Sequence, residues 1–237
     1  MGHYEKVWQD VRARIERAAR AAGRAPEAVA LLAVSKTFPP ESIRAVYRLG
    51  QRAFGENYVQ EALAKMDALA DCADLEWHLI GPLQANKTRL AAERFAWVHT
   101  IDRLKIAQRL AAARPQQLPP QNVCVQVNIS GEATKSGVTP EEVVPLALAV
   151  AKLQGLRLRG LMGIAEPTPD LEQQRVQFHR LRDSLERCRA AGLPLDTLSM
   201  GMSADLEAAI AEGATMVRVG SAIFGEREYR ESARSTA

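Results

Sequence analysis

The sequence has no apolar run long enough to cross a bilayer, and its first ten residues, MGHYEKVWQD, lack the apolar stretch of a secretory leader. Cysteine is scarce. Cys72, Cys124 and Cys188 are odd in number, far apart and form no CxxC pair, which excludes a disulfide framework or zinc ribbon and implies a reducing, cytoplasmic setting. His3, His78, His99 and His179 show no ligand spacing, so no metal is expected. There is no basic block either. The 31 Lys and Arg against 28 Asp and Glu leave a net charge of only +3, spread along the chain, so nucleic acid is not an expected partner. No linker, composition break, low-complexity tract or internal repeat divides the chain. A single domain over 1–237 is therefore expected.

What is present is an ordinary globular balance, with 47% hydrophobic residues to fill a core. Tyr4, Trp8, Val11, Ile15, Ala18 and Ala22 recur every three or four residues, which predicts an amphipathic helix over about 3–22, stopped at Gly23. The period then changes. Residues 28–35, AVALLAVS, form a nearly continuous apolar run, the pattern of a buried parallel strand. Further short strands are predicted near Arg52–Phe54, Trp77–Ile80, Trp97–Thr100, Val123–Ile129, Leu156–Met162, Thr197–Ser199 and Met216–Val219, with helices between them. One helix is expected to start at a Thr139-Pro140-Glu141-Glu142 cap, and another to carry Leu171, Phe178, Leu181, Leu185 and Cys188 on one face. Pro115–Gln121 reads as a surface loop. Eight strand–helix units after one leading helix give an α/β fold, a (β/α)₈ TIM barrel spanning about 28–228.

Ligands of such barrels bind in the loops after the strands, and the polar residues of this chain gather there. Lys36 follows Leu32 and Val34 on one face of the first strand. Alone it is either a solvated lysine closing the rim or a partly desolvated amine suited to attack an aldehyde. Gly220 and Ser221 follow the eighth strand, where backbone can approach an anion closely. Ser203 follows the seventh and is expected to cap the next helix, making a phosphate site of its first turn. Arg218 lies inside the eighth strand and needs a partner: a structural carboxylate such as Glu56 or Asp205, or a bound group. Three other loops are polar: Glu56, Asn57 and Tyr58; His78, Gln84, Asn86 and Lys87; Asn128, Glu132, Lys135 and Gly137. Among these, His78 reads as a hydrogen-bonded core histidine, Lys87 and Lys135 as solvated charges, and Asn57 as a group that orients a ligand.

AVSKTFP, FGENYVQE, WHLIGPLQANK, VNISGEATKSG, LSMGMSAD and RVGSAIFGER together resemble the pyridoxal-phosphate homeostasis proteins, stand-alone relatives of the alanine racemase N-terminal barrel. The resemblance runs from about Val29 to Glu226. It implies Lys36 as the Schiff-base lysine for pyridoxal 5′-phosphate, phosphate contacts from Ser203, Gly220 and Ser221, Arg218 at the pyridine nitrogen and Asn57 beside the cofactor. It also implies a non-catalytic role in vitamin B6 homeostasis, with apo-enzymes that depend on the cofactor as partners. LMGIAEP departs from the expected pattern at Glu166. An amino-acid racemase is the alternative, but a second domain to supply an acid–base tyrosine is not expected, and Tyr58 is the one nearby tyrosine. A Schiff-base aldolase is a weaker alternative, since such enzymes carry the lysine late in the barrel. With no sustained apolar surface stripe, a monomer without membrane contact is expected.

Overall fold

The computed structural model describes residues 2–131 and 136–225. Glu132, Lys135 and the expected end of the barrel, from Glu226 to about 228, lie outside the described residues. Eight parallel strands close on themselves in chain order: β1 (Ala30–Val34), β2 (Ala53–Glu56), β3 (Glu76–Leu79), β4 (Trp97–Ile101), β5 (Gln121–Val127), β6 (Leu156–Gly163), β7 (Thr197–Ser199) and β8 (Met216–Val219). Closure comes from β1 against β8, where Ala30, Leu31, Leu32 and Ala33 pair with Met216, Val217, Arg218 and Val219. The helices are α1 (His3–Ala21), α2 (Pro40–Arg48), α3 (Val59–Ala68), α4 (Thr88–Arg94), α5 (Leu104–Ala113), α6 (Val143–Ala151), α7 (Leu171–Ala190), α8 (Leu206–Ala211) and α9 (Ser221–Phe224). The chain is an α/β (β/α)₈ barrel preceded by one helix, as the alternating periods predict.

Successive strand residues face opposite sides, and this splits the core in two. Outward residues such as Ala33, Phe54, Leu79, Val98, Val125, Leu161 and Val217 pack under the helices in one large apolar cluster. Inside the barrel Trp97, Cys124 and Met162 form a separate small cluster. Barrel interiors are usually filled by Val, Ile and Leu; this one also holds His78, His99, Ser199 and Arg218, all buried.

Several boundaries differ from expectation for local reasons. β5 begins at Gln121 because the buried Gln121 amide donates to the carbonyls of Ala91 and Phe95, 2.8 and 2.9 Å away, which removes Gln121 from the expected loop. The Thr139 cap forms in part: Glu142 accepts from the Thr139 N–H at 3.0 Å, but the segment is a turn and α6 starts at Val143. On α7 the face of Phe178, Leu181, Leu185 and Cys188 is buried as expected, whereas Leu171, the first residue of the helix, is exposed. α1 buries Val11, Ile15 and Ala19, with Tyr4 and Trp8 packed alongside.

One buried ion pair braces the start of the barrel. Glu56 points out of β2, not into the barrel. The Lys65 ammonium of α3 donates to both Glu56 oxygens at 2.8 and 2.9 Å, to Glu61 at 2.6 Å and to the Ser35 carbonyl at 2.8 Å. Ser35 Oγ donates to Glu56 at 2.6 Å. Burial pushes the Glu56 carboxyl above its ordinary range, and Lys65 draws it back. Removing one partner strands the other charge in the core. Lys65→Met is expected to lower stability by about 3–5 kcal/mol, read by urea denaturation, and Lys65→Met with Glu56→Gln to recover part of that loss. A loss below about 1 kcal/mol, typical of an exposed pair, would show that the pair is peripheral.

Candidate functional site

The candidate cofactor residues lie on or just after four strands that are neighbours around the closed sheet, β7, β8, β1 and β2. Lys36 is half-buried, two residues beyond β1, in a turn. The next residue, Thr37, has φ 71° and is the one non-glycine with positive φ among the described residues. For a β-branched residue this conformation costs on the order of 1–3 kcal/mol and persists only where the surroundings over-determine it. Here they do. The Thr37 N–H donates to Glu61 at 2.6 Å, and the Phe38 N–H to the Ser35 carbonyl at 3.1 Å. The Phe38 ring stacks on Phe224 of α9 with centroids 5.2 Å apart. Lys65, Glu61 and Phe224 thus fix the turn that carries Lys36. Nothing in SKTFPP marks a strained threonine, so the sequence could not supply this feature.

Asn57 follows β2 and is half-buried. Gly81, after β3, is pressed against it: a Cβ at Gly81 would lie 2.1 Å from the Asn57 carbonyl oxygen. Asn57 lines a cavity of about 200 Å³ with Ile80, Thr100, Gln126 and Asn128. Two larger hollows, of about 570 and 520 Å³, open at the opposite end of the barrel, among Arg157, Arg159 and Asp196 and around Glu76, Arg114 and Asn122. Barrel ligand sites sit at the C-terminal ends of the strands, which points to the smaller cavity and the strand ends beside it.

Arg218 is 4% exposed, and its partners differ from those expected. Neither Glu56 nor Asp205 pairs with it. Glu56 is on the other side of the sheet with Lys65, and Asp205 accepts the Met202 N–H at 2.5 Å. Instead Arg218 donates to Ser199 Oγ and to the Gly163 carbonyl, each at 2.9 Å. Burial pushes the guanidinium down to about 10, against the smaller favourable fields of Asp205 and Cys124. Gly163 and Ser199 are the last residues of β6 and β7, so the guanidinium lies at the mouth end of the interior. Sequence reasoning missed Ser199 and His99; strand alternation, carried through β4 and β7, puts both inside the barrel.

Ser203 does not cap α8, which corrects the sequence reading. It lies in a turn before the helix, Asp205 holds the N-cap position, and α8 has only six residues. The turn is instead tied from outside: Arg14 of α1 donates to the Ser203 carbonyl at 2.7 Å and to Glu207 at 2.6 Å. Gly220 holds the N-cap position of α9, which Ser221 begins, exposed. A Cβ at Gly220 would press on the Val34 carbonyl at 3.2 Å, so glycine keeps β8 and β1 together here.

His78 is wholly buried and hydrogen-bonded, as expected. Tyr58 is 61% exposed. Glu166 is exposed, and its backbone N–H donates to Gln177 of α7 at 2.7 Å, which ties this loop to the helix. Lys87 ends a short 3₁₀ turn, half-buried.

Residues 9–228 match the family model described as the alanine racemase N-terminal domain. The pyridoxal phosphate homeostasis protein of Pseudomonas aeruginosa is 60% identical over 219 residues, covering 92% of this chain and 94% of that protein. That of Escherichia coli K12 is 52% identical over 92% of this chain and 94% of its own length. Among solved structures, PipY of Synechococcus elongatus with pyridoxal phosphate bound superposes with a TM-score of 0.78 at 39% identity, covering 89% of this chain and 99% of that one. The chain belongs to the alanine racemase N-terminal domain family and, within it, to the pyridoxal phosphate homeostasis proteins.

Proposed function

We propose that this chain is a non-catalytic pyridoxal 5′-phosphate-binding protein of intracellular vitamin B6 homeostasis, holding the cofactor as a Schiff base on Lys36 and delivering it to apo-enzymes. The observation that carries this reading is Arg218. A guanidinium sunk in a barrel with a hydroxyl and a carbonyl as partners, and no carboxylate ion pair among the described residues, bears a desolvation cost that a purely structural residue would avoid. It fits a site whose ligand offers a ring nitrogen as acceptor. The P. aeruginosa and E. coli relatives carry the corresponding name, and the PipY structure contains the cofactor.

The residues fit the group in kind. Lys36 supplies an amine on a held turn. Ser203, Gly220 and Ser221 bring a hydroxyl pair and backbone N–H groups to adjacent strand ends, as phosphate sites after the seventh and eighth strands of barrels do. Asn57 stands just after β2, packed by Gly81. Pyridoxal phosphate brings a reactive aldehyde and, in enzymes, an electron sink. Arg218 can only donate a hydrogen bond and stays charged, so it favours an unprotonated ring nitrogen and a weak sink. That suits storage better than turnover. A reversible covalent bond to Lys36 would limit free aldehyde without consuming it.

An absorption spectrum of the loaded protein is expected to show a visible band, and Lys36→Ala to lose it. A purified protein that takes up no pyridoxal phosphate and shows no such band would favour a Schiff-base aldolase, and retention of the band in Lys36→Ala would remove the site assignment. Loaded protein is also expected to racemise neither alanine nor serine; turnover of either at rates typical of enzymes, ~1 per second or more, would replace this reading with the racemase. Mixed with an apo-enzyme, the loaded protein is expected to restore activity as its own band decays, and absence of exchange by native mass spectrometry would contradict delivery.

A further inference from the structure

The interior of the barrel holds a chain of polar contacts that neither closure nor packing requires. Arg218 Nη1 donates to Ser199 Oγ at 2.9 Å, and Ser199 Oγ meets His99 Nδ1 at 2.9 Å. His99 Nε2 meets His78 Nδ1 at 2.9 Å, and His78 Nε2 meets Glu76 at 2.8 Å. Five side chains from β8, β7, β4 and β3 run from the mouth end of the interior to the first residue of β3. There Glu76 borders the hollow of about 520 Å³ at the opposite end. Packing holds the rings: His78 stacks on Trp97 at 5.3 Å with an interplanar angle of 8°, and His99 lies tilted against both.

The two ends fix the direction of every proton. Arginine can only donate and an ionised carboxylate can only accept. The His78 hydrogen bond holds the Glu76 carboxyl below its ordinary range, so it is the anion at neutral pH. His78 must then carry its proton on Nε2 and accept at Nδ1. His99 must donate from Nε2 and accept at Nδ1 from the Ser199 hydroxyl, which accepts from Arg218. The opposite order would set the bare His78 Nε2 against a carboxylate oxygen at 2.8 Å. Doubly protonated rings are disfavoured: burial pushes both histidines below their ordinary value, against Glu76 for His78, and with the fields of His78 and Arg218 adding for His99. The other charged or titratable groups around the chain are Cys124, Asp205, Arg159 and Asp196.

We propose that Ser199, His99, His78 and Glu76 are positioning residues for Arg218, a hydrogen-bond relay of fixed direction that anchors the guanidinium beneath the cofactor and ends on a carboxylate at the far end of the barrel. The proposal rests on the reading of Arg218 as the residue that faces the pyridine nitrogen. The relay orients the Ser199 hydroxyl so that its oxygen accepts from Arg218, and the one carboxylate whose field reaches the guanidinium among the described residues is Asp205. Seated on Ser199 and Gly163, the guanidinium keeps one orientation before and after the ligand leaves.

The test is long-range ¹H–¹⁵N correlation of the histidine rings in the full-length protein, with and without pyridoxal phosphate, across the neutral pH range. Both His78 and His99 are expected as neutral rings protonated on Nε2 only, unchanged by pH or loading. A proton on Nδ1 of either ring, or a titration within that range, overturns the relay. Glu76→Gln keeps an acceptor and is expected to keep both tautomers. Ser199→Ala is expected to raise the dissociation constant of pyridoxal phosphate roughly tenfold while reduction still traps it on Lys36, and Ser199→Thr, which retains the hydroxyl, to restore binding. Binding by Ser199→Ala equal to that of the unaltered protein overturns the positioning role. If the unaltered protein takes up no pyridoxal phosphate while both tautomers are as assigned, the functional reading fails and the relay stands as the anchor of Arg218.

Discussion

A positive charge taken out of water inside the barrel is the constraint around which this molecule is arranged. Arg218 cannot neutralise cheaply, since burial pushes its guanidinium down only to about 10. The fold answers with a serine hydroxyl, a strand-end carbonyl and a pair of neutral histidines leading to Glu76. Buried charges are tolerable only when their hydrogen bonds are satisfied, and these partners come from β3, β4, β6 and β7. Closure of the sheet in chain order is what brings strands so distant in sequence around one side chain.

A second layer of support works from outside. α3 holds the turn after β1 through Lys65 and Glu61, and α1 holds the turn after β7 through Arg14 and the Ser203 carbonyl. Phe224 of α9 closes on Phe38, joining the end of the described chain to the loop that carries Lys36. The leading helix is therefore part of the site's scaffold, not an appendage. Strain at Thr37 is affordable because three separate elements meet there.

Much of this was legible in the sequence. Eight apolar runs, each bounded by turn residues, gave the strands, and the polar residues just beyond them gave the mouth. Lys36, Asn57, Gly220 and Ser221 lie just beyond β1, β2 and β8, and Arg218 lies within β8, as the strand pattern predicts. Two kinds of information were not legible. The partners of Arg218 depend on which strands meet across the interior, and a carboxylate near in pattern, Glu56, faces the other way because β2 turns it toward Lys65. The cap at Ser203 failed because α8 is short and Asp205 takes the N-cap position with its own hydrogen bond to Met202. Local pattern located the residues; only tertiary pairing decided their contacts.

Reduction of the loaded protein with borohydride, followed by peptide mapping, tests the central claim most directly. The account predicts a single stable adduct, on Lys36, in stoichiometric yield. An adduct on any other lysine in comparable yield, or none at all, would contradict it.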